Sequence, residues 1–202
     1  MLTLYFAPGT SSMAPHIALH EAGVTFRSCP LSFTKGEQRQ PSYVALNPEG
    51  KVPTLVVDGR PLTEVAAILY YIGRTFPAAD LLPVKDAETG AQVISWMSFI
   101  AATLHPARYR GVEHTLSVYG IADRRLAEGW AIGRYSIADI HLFRLYWRVR
   151  SALDIQPGRF PHLSAHYERM MARPAVQKTI AIESALGYEY STWFPDRGKT
   201  GG

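Results

Sequence analysis

The sequence predicts an α+β fold: a small mixed four-stranded sheet with helices packed on it, followed by an all-helical bundle. Three observations carry this. Strand and helix signals alternate from Leu2 to Leu31 with short connections, which makes a parallel βαβ unit. Two short apolar runs flank Asp58-Gly59, a two-residue turn pair that closes β-hairpins. Beyond Asp86 helical periodicity continues and no strand pattern returns.

In order, Leu2–Phe6 is a β-rich run closed by the turn Ala7-Pro8-Gly9. Ser11 or Ser12 then caps a helix to about Glu21, with Pro15 in the first turn, where a missing N–H costs nothing, and Gly23 stopping it. Val24–Leu31 is the second strand. Tyr43–Leu46 is one helical turn ended by Asn47-Pro48-Glu49-Gly50. Thr54–Val57 and Arg60–Leu62 form the hairpin. Thr63 caps a helix over Glu64–Thr75, whose Ala67, Ile68, Tyr71 and Ile72 share a face, and Pro77 stops it. Residues 1–78 therefore form one domain, 79–86 a linker around Pro83, and 87–202 a helical domain. Its helices are predicted at Ala87–Leu104, Ile121–Trp130, Ile137–Ala152, Leu163–Ala172 and Ala175–Ala185. Ser136-Ile137-Ala138-Asp139 is a capping box ahead of an apolar run, so that helix is buried and central. Arg173-Pro174 separates the last two helices, because a residue before proline avoids the α region.

With 202 residues, 47% hydrophobic and 19% charged, the chain has an ordinary globular composition. A net charge of +4 suits a small anionic ligand, and a nucleic-acid binder has only that charge behind it. One cysteine, Cys29, excludes an internal disulfide, and its place in a strand pattern reads as a small buried hydrophobe. The start lacks a secretory pattern, and the longest apolar run, Val65–Ile72, is far below the roughly 18 residues of a membrane span, so a cytoplasmic protein is expected. His16 with His20, and His162 with His166, are spaced i,i+4 but have no third ligand in a recognisable pattern; no metal is expected.

Four segments can carry chemistry. Val52-Pro53-Thr54 is either a trans proline ending a loop or a cis proline that presents the Val52 N–H and C=O to an extended peptide. Gly9-Thr10-Ser11-Ser12 is either a plain cap or a group of donors able to stabilise an anion such as a thiolate. Thr63-Glu64-Val65 either complements a helix dipole or holds the two charges of an amino acid end. His105, before Pro106, reads by itself as a dipole partner at a helix C-terminus.

Together these segments resemble a glutathione S-transferase over nearly the whole chain. The resemblance rests on Leu4–Ser12, Pro15–Leu19, Asn47–Leu55, Leu62–Glu64, Tyr135–Asp139 and Ala172–Gln177, and it is strongest to bacterial, beta-like members. It implies a thioredoxin-like domain followed by a helical domain, paired as a symmetric dimer. It implies glutathione as co-substrate and no other cofactor. Val52 and cis Pro53 would pair with the cysteinyl backbone, Glu64 and Val65 would hold the γ-glutamyl end, and Lys51 and Lys35 would meet the glycyl carboxylate. Ser12 is assigned to the same ligand. His105 would line the cleft near the sulfur, and Tyr5, Phe6, Arg108 and Tyr109 would line the second-substrate pocket.

Three departures bear on activity. The beta-like cysteine is Ser11 here, and a serine cannot perform thiol–disulfide exchange, so the expected chemistry is thiolate stabilisation by a hydroxyl, with Thr10 and Ser12 as competitors. Pro106 stands where a lysine is usual. The stretch from His105 to Tyr135 is short for the family, and Tyr188, Tyr190, Trp193 and Phe194 are candidates to cover what that opens. The expected function is a detoxifying transferase that attacks a small hydrophobic electrophile with the glutathione thiolate. The alternative is a glutathione-binding scaffold with little catalysis.

Overall fold

The computed structural model describes residues 1–83, 85–127 and 129–189. The sheet holds β1 (Leu2–Phe6), β2 (Arg27–Pro30), β3 (Thr54–Val57) and β4 (Arg60–Thr63), in the order β2-β1-β3-β4. β1 runs parallel to β2 and antiparallel to β3, with Leu4 opposite Ser28 on one side and Leu55 on the other. The β3–β4 hairpin closes through Asp58 (φ 46°) and Gly59 (φ 81°), the paired left-handed turn that Asp-Gly predicts. The predicted second strand shortens at its start: Val24 and Phe26 pack on the core, and pairing begins at Arg27. Cys29 lies in this outer strand and is half-buried, not sealed in the core.

α1 (Met13–Glu21) is buried from Met13 to Leu19 because it lies between the sheet domain and the helical domain, packing on α3 (Val65–Thr75), α6 (Ile137–Ala152) and α8 (Pro174–Leu186). α2 is the single turn Pro41–Val44. Thr63 does not cap α3. It is the last residue of β4, opposite Thr54, and the boundary falls on Glu64 at φ 67° and ψ 123°.

In the helical domain α4 (Ala87–Phe99) passes into a widened turn over Ile100–Leu104, closed by the His105 N–H on the Ile100 carbonyl at 2.9 Å. α5 spans Val112–Arg125, starting nine residues before the predicted position. Its buried face includes Thr115 and Asp123, so the apolar periodicity that marks a helix is weak there. α6 matches its predicted bounds, and its capping box is formed: the Ser136 N–H donates to Asp139 at 2.9 Å while the Ala138 N–H donates to the Ser136 hydroxyl at 3.2 Å. The other Asp139 oxygen accepts from the Ala131 N–H and meets the His166 ring, so one buried carboxylate fixes the start of α6 against α7 (Pro161–Met171). Arg173 is extended (ψ 130°) and separates α7 from α8. Its guanidinium grips Glu21 of α1 at 2.5 and 2.9 Å and lies over the Tyr135 ring, one of the ties between domains. Among the described residues no helix is long and apolar enough to cross a membrane, and no cluster of three or more His, Cys, Asp or Glu is arranged to hold a metal ion.

Candidate active site

A cleft of about 580 Å³ opens between the two domains. Its sheet-domain wall is built from two loops, one after β1 and one before β3. After β1, the chain turns at Gly9 (φ 68°), a conformation glycine adopts freely. Gly9 is held from both sides: its N–H donates to Glu183 of α8 at 2.6 Å and its carbonyl accepts from Arg144 of α6 at 3.1 Å. Glu183 is fully buried, and its other oxygen lies 2.9 Å from His16 Nδ1. The helical domain thus fixes the loop that presents Thr10, Ser11 and Ser12.

These three hydroxyls have different surroundings. The Ser12 hydroxyl is fully buried; it accepts from the Ala7 N–H and faces the Ala7 carbonyl, both at 3.1 Å, and the Thr10 hydroxyl at 2.7 Å. It closes the turn from beneath and does not line the cleft, contrary to its assignment as a ligand residue. The Thr10 hydroxyl lines the cleft but donates to the Ala7 carbonyl at 2.8 Å. Ser11 lines the cleft and donates to the Val52 carbonyl at 3.1 Å.

The Val52–Pro53 peptide bond is cis, and both residues line the cleft. The Val52 carbonyl, predicted to be open, is engaged by Ser11. The turn ahead of it is fixed by Lys51, whose carbonyl accepts from the Tyr43 hydroxyl at 2.5 Å and from the Asn47 side-chain amide at 2.8 Å. Burial pushes the Tyr43 hydroxyl above its ordinary pKa, against the opposing pull of its bonds to Thr54 and Asn47. Gly50 (φ 59°) has the Gln38 carbonyl only 3.0 Å from where a Cβ would stand. Lys51 itself lines the cleft, paired with Glu49 at 2.6 Å, and that hydrogen bond raises its ammonium above the usual lysine range.

Glu64 and Val65 also line the cleft, where α3 begins. A non-glycine residue at φ 67° and ψ 123° is strained by about 1–3 kcal/mol, so the surrounding fold holds Glu64 in a set position at the cleft edge. Three other predicted residues lie elsewhere. Phe6 is sealed in the core against the His16 ring, because it ends a central strand on the buried face. Lys35 is exposed beyond the cleft lining, in the turn after Thr34. Tyr5 likewise does not line the cleft; its ring packs on Tyr43.

The helical wall carries His105, Arg108 and Tyr109, as predicted for the cleft, together with His141, Arg144 and Arg148, which sequence reading missed. These three stand at i, i+3 and i+7 on α6 and so share one face. The spacing is present in the sequence, but scattered arginines on a helix read as a solvated face, whereas Arg144 is buried. His105 is held down to about 3, first by burial and then by the guanidiniums of Arg144 and Arg108. His141 is held to about 3 by burial, His105 and Arg144. Both rings are neutral at pH 7.

Tyr188 packs on Trp147 of α6, and the Glu189 carboxylate accepts from the Ser32 hydroxyl (2.7 Å) and from the Phe33 and Thr34 N–H groups (2.6 and 3.1 Å), beside the point where Phe33 lines the cleft. The other aromatic residues of this tail, Tyr190, Trp193 and Phe194, lie outside the described residues.

A βαβ–ββα sheet domain whose cis-proline turn faces a helical domain across a cleft defines a two-domain protein of the thioredoxin-like transferase class. Residues 1–74 match the glutathione S-transferase N-terminal domain and residues 96–174 its C-terminal domain. The chain belongs to the glutathione S-transferase family. It is 30% identical over 200 residues to glutathione S-transferase GstA of Escherichia coli O157:H7, covering 90% of this chain and 98% of the relative. Among solved structures, a bacterial beta class glutathione S-transferase of Sphingomonas chungbukensis is 30% identical with a TM-score of 0.77, covering 90% of this chain and 98% of that one. A sphingomonad glutathione S-transferase complexed with glutathione is 29% identical with a TM-score of 0.77 and the same coverage.

Proposed function

We propose that this protein is a glutathione transferase in which Ser11 stabilises the glutathione thiolate for attack on an electrophile held against the helical wall. The observation that carries this is the contact between Ser11 and Val52: the one loop hydroxyl that lines the cleft without donating inside its own turn lies 3.1 Å from the carbonyl beside the cis proline. An extended cysteinyl residue would offer its N–H to that carbonyl. The Ser11 proton is then released toward the cysteinyl sulfur, so docking the peptide and arming the donor are one event. Glu64 and Val65 take the γ-glutamyl end and Lys51 the glycyl carboxylate. Glutathione is the co-substrate and no further cofactor is invoked. As in the family generally, the working form is taken to be a symmetric dimer, acting in the cytoplasm; sedimentation of the purified chain tests the pairing.

One hydroxyl donating to an anion contributes roughly 1.5–3 kcal/mol, which corresponds to about one to two pKa units of thiol acidification. Ultraviolet titration of the glutathione complex reads this directly. We expect a thiolate midpoint well below that of free glutathione, and a rise of about one to two units in Ser11→Ala. An unshifted midpoint with tight glutathione binding would leave a binding scaffold in place of a transferase. A midpoint moved by Thr10→Val and not by Ser11→Ala would reassign the donor.

A further inference from the structure

Two consecutive residues beyond α8 touch both domains beside the cleft. The chain leaves α8 at Gly187 (φ 83°), and Tyr188 packs its ring on Trp147 of α6, with centroids 5.7 Å apart. Trp147 is the neighbour of Arg148, which lines the cleft. The next residue, Glu189, reaches the loop after β2. One carboxylate oxygen accepts from the Ser32 hydroxyl, the other from the Phe33 and Thr34 N–H groups. Successive backbone N–H groups facing one anion form a nest, and here the anion belongs to the chain itself. These bonds, the Ser32 hydroxyl's foremost, hold the Glu189 carboxyl below its ordinary pKa, so it is ionised at neutral pH. Other bonds of this loop are internal to it: the Ser32 N–H on Glu37 at 2.7 Å, the Gly36 N–H on the Phe33 carbonyl at 3.1 Å and the Lys35 N–H on the Ser32 hydroxyl at 3.2 Å. They shape the loop without tying it to the helical domain. Phe33, at the point Glu189 grips, lines the cleft and is 37% exposed.

We propose that Gly187–Glu189 form a strap at the edge of the cleft, latched by the Glu189 carboxylate on Ser32, Phe33 and Thr34, that keeps Phe33 in the cleft wall and sets how fast a bound glutathione conjugate escapes. This goes beyond the transferase reading and takes from it only the ligand. Glu189 is a positioning residue: it acts through Phe33 and touches no reacting atom. All three bonds end on one side chain, so they are lost together when the strap lifts. Hydrogen bonds this open to water are individually weak. The strap therefore opens far more often than the fold does, as the moving parts of a binding site must. Tyr188 works at the other end. Its ring on Trp147 fixes where the strap leaves the helical domain, so loosening either end frees the other.

The test reads the latch and the escape separately, in the whole chain. Amide hydrogen exchange reports the latch. In Glu189→Ala the Phe33 and Thr34 N–H groups should exchange about three- to ten-fold faster, the effect of losing roughly one net hydrogen bond, while the denaturant midpoint stays where it was. Tyr188→Ala should act on the same two amides, and the double variant should exchange no faster than the faster single, as two ends of one device require. Stopped-flow chase of S-dansylglutathione with excess glutathione reports the escape: its dissociation rate constant should rise in each variant by a factor matching the exchange. Amides that exchange no faster overturn the latch. Faster exchange with an unchanged dissociation rate overturns the gate, and so does a loss of affinity carried wholly by slower association. If S-dansylglutathione does not bind the parent chain, the glutathione reading fails together with the gate, whereas each of the other adverse outcomes sinks the strap and leaves that reading standing.

Discussion

The sheet-domain wall of the cleft and its helical wall are built by opposite means. The first is made mostly of short residues and backbone: the Gly50 turn, the adjacent hydroxyl residues Thr10 and Ser11, a cis proline and the first residues of α3. Its polar groups are bonded to one another, Ser12 and Thr10 to Ala7, Ser11 to Val52, Lys51 to Tyr43 and Asn47. The second is made of long cationic side chains and neutral imidazoles from the largely buried α6 and from the segment that follows α4. A wall set by backbone geometry suits one invariant ligand read in extended form. A wall set by side chains can change with fewer consequences for the fold, so under the proposed function it is the wall suited to substrate choice. The two walls meet at Gly9, whose N–H and carbonyl are both held by the helical domain.

Breaking that junction gives the largest effect. Glu183→Ala leaves a buried N–H and a buried histidine without their partner, and we expect a loss of about 3–5 kcal/mol of stability, read as a lowered denaturant midpoint. The isosteric Glu183→Gln retains one acceptor and is expected to lose less stability, while glutathione affinity falls because the Gly9 loop is held less firmly. A variant as stable as the parent would show that Gly9 is fixed by the sheet domain alone. Next in size is the contrast between adjacent serines. Ser12→Ala leaves the buried Ala7 N–H unsatisfied and should cost about 1–3 kcal/mol of stability without moving the thiol midpoint of the folded complex. Ser11→Ala should do the reverse.

That contrast also marks how far the sequence could be read. The order of elements was legible because each is announced by local chemistry: Asp58-Gly59 for the hairpin, the Ser136–Asp139 box for α6, Pro174 for the break before α8. The family and the stretches that build the sheet-domain wall were legible for the same reason, since short motifs set backbone shape. Which of two neighbouring hydroxyls faces solvent was not, because that depends on a rotation at the start of α1 that only packing against Ala7 decides. The placement of Phe6 failed likewise, since the buried face of a central strand is chosen by the helices laid on it. The early start of α5 was hidden by its buried Thr115 and Asp123, and the arginines of α6 by their position on a helix that is otherwise core.

The helical wall supplies the next prediction. His105 and His141 are held near 3 in the folded protein, whereas an unfolded chain protonates them near 6.5. Between those values the unfolded state binds more protons, so stability rises with pH; equivalently, it is lost as pH falls from about 6.5 toward 3. Each ring contributes up to about 1.4 kcal/mol per pH unit inside that window. Denaturant midpoints measured from pH 7 down to pH 4.5 should show this slope, and His141→Gln should flatten it. A midpoint insensitive to pH across the window would mean that the rings gain protons in the folded state, and the helical wall would then be more cationic than described.

The smallest expected effect belongs to the sheet-domain wall and separates its two kinds of contact. Lys51 lines the cleft, but its side chain is 73% exposed and its ammonium is bonded to Glu49. A solvent-screened charge meeting the glycyl carboxylate contributes little, so Lys51→Ala should raise the glutathione Kd by no more than about five-fold and lose ground as salt is added. The Lys51 carbonyl is a different matter: it accepts from Tyr43 and Asn47 and survives the substitution, so the turn before Pro53 keeps its shape. Asn47→Ala removes one of those donors along with the bonds to Thr54 and the Glu49 N–H, and it should weaken glutathione binding more than Lys51→Ala despite lacking any charge. The reverse order, with the exposed lysine outweighing the buried amide, would mean that charge and not backbone geometry governs the sheet-domain wall, and the contrast between the two walls would fall.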